Sequence, residues 1–159
     1  EDLPGESPLA GIELQRTCER RAFALGGGAY RAPAQRVADF LGERASTGAG
    51  AVAPTYPLGV TWTALDDALP AYIIKALRAG IPLLGRKLKG FDAADAVLTG
   101  VESRSSSPVT VVRDRMCHAI DAPGLYPCGE GAGYAGGIMS AATDGIRCAE
   151  AVLEELSNR

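Results

Sequence analysis

The sequence predicts a mixed α+β fold, and three observations carry that prediction. Apolar residues recur at spacings of three and four over residues 8–25, 70–88 and 138–156, the period of helices with one buried stripe. Runs rich in β-branched residues, 96–102 and 108–112, mark strands in the later part of the chain. A glycine-rich turn over residues 129–137 joins a short apolar segment to the last helix. The order is therefore helices, then strands, then a glycine turn and a closing helix. Two regions follow: a mainly helical one over 1–95, and a segment of strands, turn and helix over 96–159.

Ser7-Pro8 opens the first helix, with Ser7 as N-cap and Pro8 at the first helical position. Leu14, Cys18, Ala22 and Leu25 form its stripe, and Gly26, Gly27 and Gly28 end it. Arg16, Glu19, Arg20 and Arg21 surround the stripe and read either as a solvated face or as a docking surface for another part of the protein. Ala32-Pro33-Ala34-Gln35 is read as the start of a second, short helix reaching about Leu41. In one reading Gln35 and the backbone around Gly28 line a cleft. Residues 42–57, rich in Gly, Ala, Ser, Thr and Pro, form a loop. Thr63 and Asp66 have capping-box spacing, which predicts a short helix ending near Leu69. Pro70 opens a longer helix with Ile73, Leu77, Ile81, Leu84 and Leu88 on one side. Gly80 and Pro82 are expected to kink or break it, because Pro82 lacks an N–H and crowds the carbonyl of Arg78. Arg86, Lys87 and Lys89 suit its C-terminal end. Trp62, the single tryptophan, packs in the core or lies against a ligand ring.

After the strand at 96–102, Ser103, Arg104, Ser105, Ser106 and Ser107 precede Pro108 and form a loop, with Arg104 as the charge if that loop binds an anion. The strand at 108–112 leads to a tip at Arg113-Asp114-Arg115-Met116 and a return strand over 116–120. Residues 125–128 read as a buried strand. In the turn that follows, five of nine residues are glycine, which lets the backbone approach a ligand with no Cβ in the way. The closing helix carries Ile138, Ala142, Ile146, Ala149, Leu153 and Leu156 on one face. Strand, glycine turn and helix N-terminus together form the geometry that presents N–H groups to a phosphate or a ring oxygen.

Composition excludes several functions. A net charge of −3 argues against nucleic acid, which needs a basic face. The four cysteines show no C-x-x-C spacing and there is one histidine, His118, so neither a metal site nor a redox dithiol is expected. Reduced cysteines fit a soluble protein of the cytoplasm. No apolar run is long enough to span a membrane, and no secretory leader pattern opens the chain. The chain starts at Glu1 without a methionine and is expected to be a piece of something longer. Cys117 and His118 are neighbours in an expected strand, on opposite faces, so they make no catalytic dyad. Asp66 and Asp67 belong to a helix start. These residues offer binding chemistry, and the hard chemical step falls to a cofactor.

The stretch Gly124-Leu-Tyr-Pro-Cys-Gly-Glu-Gly-Ala-Gly-Tyr-Ala-Gly-Gly-Ile138, followed by Ser140, Ala141, Ala142 and by Asp144, Gly145, Ile146, resembles the C-terminal FAD-binding segment of glutathione-reductase-like flavoproteins. More closely it resembles an uncharacterised FAD-dependent dehydrogenase family of bacteria and plastids. Gly11-Ile12-Glu13, Gly26 to Gly28, Ala32 to Gln35, Gly59-Val60-Thr61, and Gly100 through Val109 extend the likeness along nearly the whole chain.

The resemblance implies a role for particular residues. Glu130 would accept hydrogen bonds from the ribityl hydroxyls or the backbone near them, as an acceptor-only carboxylate can. Gly136, Gly137 and Ile138 would present N–H groups to the flavin's pyrimidine edge, where the helix dipole favours negative charge. Gly129, Gly131, Gly133 and Tyr134 would line the same pocket, and Arg104 would face the flavin or an unidentified small-molecule substrate. It also implies the closing helix of a Rossmann-like FAD-binding domain, in the cytoplasm or plastid stroma. The G-x-G-x-x-G unit that holds the ADP half of FAD is absent from this sequence. The expected partner is therefore the N-terminal Rossmann half of a longer parent or a separate chain, and this chain alone would not be a competent enzyme. The contrasting reading is a non-catalytic interaction module or remnant with no flavin affinity.

Overall fold

Five residues with no β-branched side chain, Ala32 to Arg36, form the strand on which the only sheet among the described residues is built. The computed structural model describes residues 7–158; the acidic start at residues 1–4 lies outside the described residues. The elements run α1 (Ala10–Leu25), β1 (Ala32–Arg36), α2 (Val37–Leu41), β2 (Val60–Trp62), α3 (Ala71–Gly85), β3 (Val97–Thr99) and α4 (Ile138–Ser157). The fold is mixed α+β with an open three-stranded sheet, and the chain divides into two compact units.

The first unit spans residues 15–103 and holds the sheet, in the order β2-β1-β3. β1 pairs with β2 in parallel (Ala32 with Val60, Ala34 with Trp62) and with β3 antiparallel (Ala34 with Thr99, Arg36 with Val97). A helix start at Ala32 is thus replaced by a central strand. Pro33 is tolerated because Ala32 N donates to Gly59 O and the paired residues facing β3 begin at Ala34. Burial and two partner strands outweigh local propensity here, since Ala34 and Gln35 are fully enclosed. The cleft-lining reading of Gln35 is likewise overturned. Its Nε2 donates to Arg44 O at 2.7 Å and its Oε1 accepts from Leu65 N at 2.8 Å, so both polar atoms are engaged in the interior. That second bond also explains why no helix forms between Thr63 and Leu69: Leu65 is tied to the sheet, and only a turn closes from Ala68 N to Leu65 O. Trp62 packs on Ala32, Ala34 and Val60, a core position.

α3 runs through Pro82 to Gly85 without breaking. Ile74 and Ile81, both ahead of Pro82, are buried with Val37 and Phe40, which offsets the lost hydrogen bond. Arg78 adds a tie, donating to Phe40 O at 2.9 Å and to Asp66 at 2.6 Å. The most enclosed charged group of the unit is Asp39 on α2. It accepts from Ser46 Oγ at 2.7 Å, Arg44 Nε at 2.6 Å and Arg36 Nε at 2.8 Å. The Ser46 hydroxyl and the Arg44 guanidinium hold its carboxyl well below the usual carboxylate range.

The second unit comprises the described residues 7–14 and 104–158. Ser7 Oγ accepts from Leu9 N at 3.2 Å, a side-chain cap just ahead of α1. Gly11 lies so close to Pro108 that a Cβ there would stand 2.8 Å from the proline Cβ. The strands expected at 108–112 and 116–120 are absent; one bridge, Arg113 with Ala119, is all that forms. Asp114 is the reason. Its Oδ1 accepts from Met116 N at 2.8 Å and His118 N at 2.9 Å, which spends strand donors on a tight turn, with Cys117 at φ +65°. The buried strand at 125–128 is also absent: no strand pairs with it, Pro127 removes a donor, and Leu125 is half exposed. α4 forms over the predicted span, but it buries Cys148 and Ala151 against Cys117 and Tyr126. The stripe of Ile138, Ile146, Leu153 and Leu156 faces outward, each of the four at least 59% exposed.

The Asp39 cluster sets an expectation for the first unit. Asp39→Ala leaves two guanidiniums and a hydroxyl without their shared acceptor, whereas Arg44→Ala removes one largely exposed partner. The urea midpoint followed by circular dichroism is expected to fall for both variants and clearly further for Asp39→Ala.

Candidate functional site: the glycine turn at the start of α4

A nine-residue turn with five glycines has high conformational freedom, so something must hold it in one shape. Asp144, two turns into α4, does so. Its carboxylate receives the Arg113 guanidinium through two bonds, NH2 to Oδ1 at 2.5 Å and NH1 to Oδ2 at 3.0 Å. The same Oδ2 accepts from Gly129 N at 2.8 Å, which fixes the first residue of the turn. Arg113 reaches further. It donates to Pro127 O at 2.6 Å and lies 3.7 Å above the ring centre of Tyr134. Tyr134 in turn donates its hydroxyl to Val111 O at 3.0 Å. Both charged groups are nearly enclosed, and the pair keeps both ionised. Hydrogen bonding from Arg113, then from Gly129 N, lowers the Asp144 carboxyl to about 2, while the bond to Asp144 pushes the Arg113 guanidinium up.

Within the turn, Gly133 N donates to Glu130 O at 2.9 Å and Tyr134 N to Gly129 O at 3.1 Å. Two positions require glycine. Gly129 sits at φ +66°, and Gly133 at φ +82°, where a Cβ would stand 2.5 Å from Val109 O. Gly131 differs: a Cβ there would meet nothing within 4 Å, so the turn is open at that point. Gly137 is the N-cap of α4, extended, and Ser140 Oγ accepts from its N–H at 3.2 Å. The intrahelical ladder begins with Ala141 N to Gly137 O at 2.8 Å, which leaves the N–H groups of Ile138, Met139 and Ser140 at the open end of the helix. Ile138 itself is 90% exposed.

The structure therefore gathers Gly129, Glu130, Gly131, Gly133, Tyr134, Gly136, Gly137 and Ile138 into one turn with unequal duties. Gly129, Gly133 and Tyr134 are engaged in holding its shape. Half-buried Glu130, open Gly131 and the helix start at Gly136 to Ile138 face outward or lie at the edge. Arg104 is exposed, two residues before Ser106, whose Oγ would lie 3.7 Å from a Cβ on Gly136. The serine loop thus runs beside the turn at Ser106. Arg113 and Asp144 were the residues that the sequence reading missed as site components. The one available signal was a carboxylate in the helix that follows a glycine turn.

Nearby side chains serve packing. His118 Nε2 lies 2.9 Å from Glu155, and the Tyr126 hydroxyl donates to the same carboxylate. Cys148 is buried against Cys117; burial, and then that contact, push its thiol up to about 11, far from a reactive thiolate. Among the described residues no group of His, Cys, Asp or Glu is arranged to hold a metal ion, and no helix is long and apolar enough to cross a membrane.

Two comparisons place the chain among known proteins, and the first covers residues that precede the glycine turn. Residues 1–105 match the family described as "FAD-dependent protein, C-terminal domain-like". An "Uncharacterized protein" of Clostridium beijerinckii is 50% identical over 155 residues, which is 98% of this chain and 29% of that protein. The chain thus spans less than a third of the length of that relative.

The Asp144 carboxyl titrates at about 2 in the folded chain against about 3.9 when unfolded, so its contribution is complete above pH 4 and is lost as pH falls from 4 toward 2. Amide exchange at Gly129 is expected to report this loss, with protection falling over that window. Asp144→Ala is expected to destabilise the second unit by about 3 kcal/mol at pH 7 and to abolish the protection. Unchanged Gly129 protection in that variant would show that another contact holds the turn.

Proposed function

The chain belongs to the FAD-dependent protein, C-terminal domain-like family, and on that premise we propose that it is the C-terminal portion of a FAD-dependent oxidoreductase of the dehydrogenase type, supplying the flavin-proximal half of the FAD site. The observation that carries this reading is the pinned glycine turn, with an open position at Gly131 and a helix N-terminus at Gly137. These features fit an edge-on ring that carries hydrogen-bond acceptors. The exposed N–H groups at the start of α4 meet those acceptors, and the helix end supplies positive potential. Glu130 accepts from the hydroxyls of the ribityl chain. Gly129, Gly133 and Tyr134 keep the turn in shape, and Arg104 faces the substrate side. Bound FAD supplies the electron-transfer chemistry; the chain's own residues bind, orient and shield it.

The partner in this reading is the N-terminal Rossmann half of the longer parent. The outward apolar stripe of α4 gives that half a surface to cover, and the partial span of the longer relative supports its existence. The region of residues 1–95 covers a small-molecule substrate. The cysteines are free thiols, as the reducing cytoplasm or plastid stroma would keep them. A second reading, a non-catalytic interaction module, is favoured by the same stripe, since an apolar face needs a partner whether or not flavin is present.

Flavin retention separates the two. The chain alone, mixed with FAD and desalted, is expected to show no absorbance near 450 nm. Co-expressed with the Rossmann half, it is expected to keep the colour, with roughly tenfold weaker binding in Glu130→Ala. A complex that forms but stays colourless would establish the interaction module instead.

A further inference from the structure

α3, in the first unit, is apolar on both of its sides. Ile74 and Ile81 face inward and are buried. Tyr72, Ala76, Ala79 and Leu83, at spacings of four, three and four, form the opposite stripe, and all four are exposed. A helix of that kind belongs inside a protein or against an apolar medium, since a surface helix ordinarily turns charge to the water. The apolar surface does not end with the helix. Leu88 N donates to Leu84 O at 2.8 Å and Phe91 N to Leu88 O at 3.0 Å, so the chain turns on past Gly85 and sets Leu88 and Phe91 beyond the helix end. Leu83, Leu88 and Phe91 are 54%, 55% and 46% exposed. Large apolar side chains grouped in this way mark a surface that something covers.

The charges around this surface identify what covers it. Residues 70–91 hold five basic side chains, Lys75, Arg78, Arg86, Lys87 and Lys89, and no acidic one, in a chain whose net charge is −3. Arg78 is committed to Asp66 and Phe40 O. Lys75 shares a shallow cleft with Glu43 and Asp66, which offset it. Arg86, Lys87 and Lys89 are exposed, and among the described residues none of the three has an ion-pair partner. Asp92, the next acid along the chain, has its carboxylate against Gly85 and offsets one of these charges. A helix C-terminus attracts cations, which accounts for their sign. It does not account for Leu88 and Phe91 set among them. Basic side chains interleaved with open apolar ones match a medium that is anionic at its surface and apolar just beneath. The stems of lysine and arginine then lie in the apolar layer while the charged heads reach phosphate.

We propose that α3 and the turn after it form a docking surface for a membrane rich in anionic lipid, with Leu83, Leu88 and Phe91 entering the boundary of the acyl layer and Arg86, Lys87 and Lys89 meeting lipid phosphates. The chain lies on this membrane and does not cross it. The surface belongs to the first unit and does not depend on the flavin reading.

The test is co-sedimentation of the full 159-residue chain with extruded vesicles, made either of phosphatidylcholine alone or of phosphatidylcholine and phosphatidylglycerol in about equal parts. The chain is expected to pellet with the anionic vesicles and to stay in solution with the neutral ones, although its net negative charge opposes that outcome. Replacing Arg86, Lys87 and Lys89 together by Gln is expected to weaken binding roughly a hundredfold, about fivefold per charge. Leu83→Ser with Leu88→Ser keeps every charge and is expected to weaken binding roughly tenfold or more. All of these positions are exposed, so circular dichroism is expected to show the fold intact in both variants. Each of four results would overturn the proposal: no pelleting with anionic vesicles, equal pelleting with neutral ones, unchanged binding in the triple Gln variant, or unchanged binding in the double Ser variant, which would make the surface a general polyanion site. Loss of vesicle binding on co-expression with the Rossmann half would assign this face to that half and overturn it equally. No flavin enters the vesicle measurement, so its failure leaves the flavin reading standing, and failure of flavin retention leaves this surface standing.

Discussion

Asp144 gives the second unit its shape through the number of groups that one carboxylate serves. It takes both arms of the Arg113 guanidinium and the N–H of Gly129. Arg113 passes the constraint on to Pro127 O and to the ring of Tyr134. The segment before the turn and the turn itself are therefore fastened to the helix that follows. Backbone that glycine leaves free loses about 1–2 kcal/mol per residue when ordered, and a nearly enclosed bidentate pair offsets part of that cost. In the proposed flavin reading the same pair orders the turn before the ligand arrives, so the ordering cost would not fall on binding.

The first unit is held by similar means. Its apolar clusters are small: Val37, Phe40, Ile74 and Ile81 in one, Ala32, Ala34 and Val60 in another. Asp39 stands between them in function, gathering Arg36, Arg44 and Ser46, while Gln35 joins the strand to two loops. Where cores are small, fully satisfied polar groups specify one arrangement among several that burial alone would allow. Both carboxylates have depressed pKa values for the same reason: hydrogen bonds to the charged form outweigh the penalty of burial.

The helices were legible because their spacing is local. α1, α3 and α4 each carry a three-and-four pattern that needs no knowledge of a partner. β3 was legible from Val97 and Thr99. β1 was not, because Ala-Pro-Ala-Gln-Arg becomes a strand only through its two neighbours and its burial. The opposite error occurred at Val109, Val111 and Val112. Their β-branched side chains favour a strand, but Asp114 takes the donors that a return strand would need. In the site, the turn was readable from its glycines, while its two pins were not. Arg113 and Asp144 are far apart in sequence and leave no local pattern, and only folding shows that they meet.

α4 shows what periodicity leaves open. A stripe at helical spacing identifies a face that will be covered, but not by what. In the second unit the face turned inward carries small residues, Cys148 and Ala151, which let the helix lie close against Cys117 and Tyr126. The larger residues, Ile146, Leu153 and Leu156, point outward. Close packing on one side fixes the position of the helix N-terminus relative to the glycine turn. Covering the larger stripe would remove much more apolar surface from water, at about 25 cal/mol per Å². In the proposed reading, a helix with these two faces separates the tasks of a divided site: its own chain sets the geometry of the turn, and a partner would supply the larger burial that completes the site.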